Sequence, residues 1–218
     1  MLSDFDIHAG TGRLAVLSQR PDASCCLSIR DLSSGNLICK VDSNLYPLSP
    51  RLAPDGRSVA FTGNDGRLHV YHLANRTTHT VLDAPQFRAA FCEWSPDGSR
   101  LGFSAYPAPL DVRHPPHICC LDLRQSQLTQ LTHGTEAMDR FPKWSASGQW
   151  MAFHRQYLDQ PDRPVRIQIV EVGSQRCIAL PCAPESSCGL SRFCWTRDSS
   201  HLLLREGAGL RAIRLDIL

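Results

Sequence analysis

Three arginines, Arg88, Arg140 and Arg192, stand in segments that lead into recurring Trp-centred turns, with Met138 and Asp139 beside Arg140. Guanidinium groups gathered round one mouth suit a carboxylate, an acidic peptide or the C-terminus of a polypeptide, because their forked N–H donors match carboxylate oxygens. The competing reading pairs them with aspartates in the rim itself. Two proline-stiffened segments add anchors: 106–116 carries Tyr106, Arg113 and His114, and 156–164 carries Tyr157. Tyr46 lies in a shorter connector, 44–47. Rigid aromatic and Arg side chains dominate interface energetics; the plainer alternative for each residue is a solvated connector.

Bond-making chemistry finds less support. The sequence has no G-x-S-x-G nucleophile turn, no H-E-x-x-H and no phosphate-binding glycine loop. His114 and His117 have metal-like spacing, but prolines separate them. His133, His114 and Asp139 would form a metal or acid–base set only if the fold brought them together. Ten cysteines include no C-x-x-C, so the usual zinc and thioredoxin-like spacings are missing. Cys25-Cys26 and Cys119-Cys120 lie in apolar runs, where a thiol behaves as a small hydrophobe. Cys177, Cys182, Cys188 and Cys194 are denser and loop-rich, and a metal site is the minor reading there. The expectation is no catalytic residue, no metal and no cofactor.

The elements that must carry these residues are set by a repeat. Pro-Asp-Gly occurs in one frame at Pro54-Asp55-Gly56 and Pro96-Asp97-Gly98. Worn copies follow at Trp144 to Gly148 and Trp195 to Ser199, and one opens the sequence at Ala9-Gly10-Thr11-Gly12. A spacing of roughly 42 to 51 residues is that of a four-stranded propeller blade. Pro presets φ, Asp bonds nearby backbone N–H groups and Gly accepts positive φ, so the motif closes a tight hairpin. The Trp ahead of it is a large apolar anchor between neighbouring sheets.

Each turn is followed by a short strand, at 13–17, 57–61, 100–104, 149–153 and 201–205, and then by a third. Alternation of apolar and polar residues marks several of these, and no long stretch shows a helical period. The fold class read from this is all-β: a β-propeller of about five four-stranded blades. Their spans are about 1–43, 44–85, 86–134, 135–185 and 186–218, in a single domain. The fifth stops after its third strand, so it lacks an outer strand and leaves 210–218 as an edge. An open edge invites self-association.

Formal charge is +2, from 23 basic and 21 acidic residues with the signs interspersed. No block of like charge recruits nucleic acid or an anionic membrane, and no apolar run reaches the roughly 18 residues of a span. The N-terminus does not read as a signal peptide, so the expected compartment is the cytoplasm.

The stretch from Leu131-Thr132-His133-Gly134 through Asp139, Pro142, Trp144-Ser145 and Gly148 resembles the TolB-type, WD-like β-propeller repeat. So does Trp94-Ser95-Pro96-Asp97-Gly98-Ser99-Arg100-Leu101-Gly102-Phe103. The resemblance covers nearly the whole sequence. It implies a platform that binds a protein or peptide. Its alternatives are a propeller-type enzyme acting on a glycan or small molecule, and a sensor domain of a larger regulatory protein. Loops between second and third strands share one face with the loops between blades. That face holds the long, varied segments and hence Tyr46, Arg88, Tyr106, Arg113, His114, Met138, Asp139, Arg140, Tyr157 and Arg192.

Overall fold

The structure is a computed structural model. It describes residues 2–20, 24–41, 44–109, 113–159, 165–180, 193–206 and 209–215. Among these residues nineteen strands form five antiparallel sheets, each running in sequence order. Blade 1 contains β1 (Leu2–His8), β2 (Arg13–Gln19), β3 (Cys25–Asp31) and β4 (Leu37–Val41). Blade 2 contains β5 (Leu48–Leu52), β6 (Ser58–Thr62), β7 (Leu68–His72) and β8 (Thr77–Leu82). Blade 3 contains β9 (Phe87–Trp94), β10 (Arg100–Pro107), β11 (His117–Asp122) and β12 (Gln127–Gln130). Blade 4 contains β13 (Ala137–Trp144), β14 (Trp150–Tyr157), β15 (Arg166–Glu171) and β16 (Cys177–Ala179). Blade 5 has three strands: β17 (Phe193–Trp195), β18 (His201–Glu206) and β19 (Gly209–Arg214).

The turn motif earns its recurrence locally. In blade 3 Ser95 Oγ donates to Asp97 Oδ1 at 2.6 Å, and Ser99 donates to the other carboxylate oxygen at 2.7 Å. Arg100 N–H closes the turn on Ser95 Oγ at 2.9 Å. Gly98 sits at φ 69°, where a side chain would be strained. In blade 5 Ser199 takes the glycine place at φ 62°, and Thr196 and Ser200 hold Asp198 in the same way. The blade 1 turn is shorter. Ile7 pairs with Leu14 as Trp94 pairs with Leu101, so Ile7 holds the Trp place in blade 1.

The Trp anchors do more than fill space. Trp94 Nε1 donates to Arg51 O at 3.0 Å, Trp144 to Glu93 O at 3.1 Å, and Trp195 to Lys143 O at 2.9 Å. Each acceptor precedes the Trp place of the blade before. Opposite the large residues stands a small one. Ala60 lies in the joint of blades 2 and 3, and Ala152 in that of blades 4 and 5. A Cβ on Gly102 would come within 2.6 Å of Met151 Sδ and 3.1 Å of Trp144 Nε1. Four apolar clusters join blades 1 to 2, 2 to 3, 3 to 4 and 4 to 5; among the described residues none joins blade 5 to blade 1.

Candidate functional site on the long-loop face

The inner strands set this face. Ser49, Phe91 and Phe141 occupy one repeat position, each with φ between 49° and 60°. Each is an unpaired bulge residue that shifts the ladder register by one. The freed Phe141 N–H is met by Ser104 Oγ of the preceding blade at 3.2 Å. The bulges aim aromatic rings at one another: Phe91 to Phe141 at 4.1 Å, Phe141 to His154 at 5.6 Å, and His154 to Phe193 at 5.0 Å.

The shift also decides the fates of Asp139 and Arg140. Beyond the bulge, Ala137 and Asp139 share the buried side of β13 with Pro142 and Trp144. Asp139 is fully buried. Arg155, its cross-strand partner, grips the carboxylate through Nε and Nη2, both at 2.7 Å. That hydrogen-bonded pairing raises the Arg155 pKa. Asp139 is thus consumed in a buried pair. The rim pairing considered from sequence exists here, but with Arg155 as the partner.

Arg140 points the other way. It donates to Gln156 Oε1 at 2.8 Å and to the Tyr106 hydroxyl, and lies 5.8 Å from the Phe141 ring. Its Nε is buried and finds no acceptor among the described residues. Burial pushes the Tyr106 hydroxyl pKa upward, against the pull of Arg140. Tyr106 pairs across the ladder with Arg88, which donates to Asn64 O. Met138 pairs with Gln156, and Tyr157 pairs with Ala137 at the open end of the same hairpin. Arg88, Tyr106, Met138, Arg140 and Tyr157 therefore share the loop-face end of blades 3 and 4.

Other expected residues lie elsewhere. Tyr46 is exposed in the blade 1 to blade 2 connector, at φ 44°. Arg113 and His114 are exposed in the β10–β11 loop. Arg192 lies outside the described residues. The proposed set of His114, His133 and Asp139 is not assembled: His133 is exposed and reaches Gln175 at 3.4 Å, while Asp139 is buried on Arg155. Among the described residues no three His, Cys, Asp or Glu side chains gather as a metal site. His117 is one titratable neighbour of the Asp139–Arg155 pair, and burial lowers its pKa. The eight described cysteines are free thiols, and burial pushes Cys92 and Cys119 up to about 12.

Two features were missed from sequence. A cavity of about 380 Å³ opens between blades 1, 2 and 3, lined by Gln19, Cys25, Thr62 and Ala90 near the loop face and by Ser49 and Phe91 deeper in. Beside it a charge ladder crosses the inner strands. Asp4 lies 3.6 Å from Arg51, Arg51 3.3 Å from Glu93, and Glu93 2.6 Å from Lys143. Arg51, Glu93 and Lys143 each precede the Trp place, so stacking the repeats would have revealed the row.

No family model and no curated protein matches the sequence. Solved structures do match the fold. TolB from Acinetobacter baumannii is similar at TM-score 0.67 and 18% identity, over 92% of this protein and 49% of that one. A structure from Agrobacterium tumefaciens described as a TolB is similar at TM-score 0.71 and 14% identity, over 100% and 77%. One polypeptide of the nidogen–laminin complex is similar at TM-score 0.67 and 11% identity, over 94% and 75%. The present protein thus spans about half the length of the Acinetobacter TolB. Its fold is a TolB-type β-propeller.

Proposed function

We propose that this protein is a non-catalytic propeller that docks a protein or peptide on its long-loop face. The observation that supports this most is Arg140. Its guanidinium is held in place by Tyr106 and Gln156, yet among the described residues one buried N–H has no acceptor. A buried donor left unmatched costs about 1–3 kcal/mol, and an incoming carbonyl or carboxylate would recover it. Met138 and Gln156 lie on the same side of the sheet as that group, and the adjacent Phe141 ring meets Phe91, which lines the cavity of blades 1, 2 and 3. Preorganised Arg and aromatic side chains are what protein interfaces use as anchors. One similar structure comes from a protein–protein complex, which supports the reading at the level of the fold only.

The same reading includes a second copy pairing on the edge strand β19 (Gly209–Arg214). β19 is the last strand of its three-stranded sheet, and Leu210 is 78% exposed.

Affinity capture with wild type and with Arg88→Ala/Arg140→Ala tests the docking face. The expected result is a stoichiometric protein held by wild type and lost by the variant, with the variant's melting temperature nearly unchanged. Equal capture by both proteins would remove this face from the account and bring the enzyme reading forward.

A further inference from the structure

On the face opposite the long loops, the joints between blades differ in a way the repeat makes readable. The residue just before the strand-two partner of the Trp place is Arg13 in blade 1 and Arg100 in blade 3. Both arginines reach across to the next blade and donate to the turn-motif glycine carbonyl there. Arg13 donates to Gly56 O. Arg100 donates to Gly148 O at 3.1 Å, and its guanidinium lies 4.9 Å over the Trp144 ring. In blade 2 the same position is Ser58, which bonds His72 at 2.9 Å and, among the described residues, makes no hydrogen bond across the joint.

The joint of blades 2 and 3 consequently opens into a cavity of about 530 Å³. That lies within the roughly 300–1,000 Å³ of ligand sites. Trp94 and Gly98 line it, as Trp144 and Gly148 stand beside Arg100 one joint further on. Among the described residues no side chain donates to the Gly98 carbonyl. The walls also hold Asp55, Asp97 and Asp122, and no Lys or Arg. The Ser95 and Ser99 hydroxyls hold Asp97 down to about 2, so it carries its charge at any working pH.

We propose that this groove is a docking site for an arginine side chain of a partner polypeptide. The side chain lies over Trp94 and donates to Gly98 O, as Arg100 lies over Trp144 and donates to Gly148 O. The three aspartates supply the counter-charge. A guanidinium fits because it offers a planar face to the indole and forked N–H donors to carbonyl and carboxylate together. The protein's own Arg13 and Arg100 show that the repeat accommodates that group. This site is independent of the long-loop face and of the docking proposed there.

The test uses the whole protein and two five-residue peptides, Ac-Gly-Val-Arg-Val-Gly-NH2 and its neutral citrulline counterpart. The Trp94 indole N–H signal is followed by NMR. The expected result is a saturable shift with the arginine peptide and none with the citrulline peptide. Ser58→Arg, which fills the groove from within as its repeat equivalents do, lowers the affinity about tenfold or more. Asp55→Asn/Asp97→Asn/Asp122→Asn removes the charges and leaves one amide oxygen as acceptor in each turn, and weakens binding by about tenfold as well. A Trp94 signal unmoved at about 5 mM arginine peptide overturns the proposal. So does an equal response to citrulline, or undiminished binding by both folded variants.

Discussion

On the turn face Asp97 and Asp198 commit both carboxylate oxygens to their own hairpins, through Ser95 and Ser99 in one and Thr196 and Ser200 in the other. On the loop face Arg140 is positioned by its neighbours and, among the described residues, still has an unmatched donor. All three residues belong to paired antiparallel hairpins. They differ in whether the local fold uses up their hydrogen-bonding capacity. Aspartates of the first kind recur because each blade must turn there. The group of the second kind stands at the loop-face end of β13, beside connectors whose sequence the fold leaves free. A similar contrast holds within one strand: Asp139 belongs to the joint between blades, and Arg140 to the face.

The largest effect that sharpens the contrast comes from Asp139→Ala. It strands Arg155, whose side chain is only 12% exposed, and should cost about 3–5 kcal/mol. For a domain of this size that is a fall in Tm of about 6–20 °C, read by calorimetry. A change under about 2 °C would mean that Asp139 is a surface residue after all. Trp144→Phe comes next. It keeps an aromatic ring in the joint but leaves Glu93 O without its indole donor, at a cost of about 1–2 kcal/mol by urea denaturation.

Asp97 gives a pH signature. Its folded pKa lies below the ordinary 3.8, so its stabilisation is complete above that value and is lost as pH falls toward about 2. Asp97→Asn should flatten the stability profile between about pH 4 and pH 2 relative to wild type; a profile of unchanged slope would mean that the serine hydroxyls do not hold the charge. The smallest effect on stability is expected from Arg140→Ala, below about 1 kcal/mol. A loss like that of Asp139→Ala would turn Arg140 into a structural residue and erase the distinction.

Much of the fold was readable because the repeat carries its own reasons: turn geometry, a joint-filling Trp and a strand behind each. The three-stranded last blade was readable in the same way. The site was readable only in outline. Tyr106 and Arg140 could be named, but not that they touch. Strict alternation along β13 puts Asp139 on the opposite side from Trp144, and the Phe141 bulge reverses this by adding one residue to the strand. A bulge has no sequence signature when the residue at positive φ is Phe rather than Gly. The ladder of Arg51, Glu93 and Lys143 escaped notice for another reason. Its members are single charges some 42 and 50 residues apart, meaningful only once blades are laid side by side.

The most direct measurement for the loop face is site-specific photo-crosslinking in lysate. A benzophenone amino acid would replace Tyr157 on the loop face or Ser34, in the β3–β4 turn of the opposite face. The account predicts one protein adduct of defined mass from position 157, none from position 34, and loss of that adduct when Arg88 and Arg140 are alanine. Equal adducts from both positions, or an adduct from 157 that survives the arginine substitutions, would contradict it.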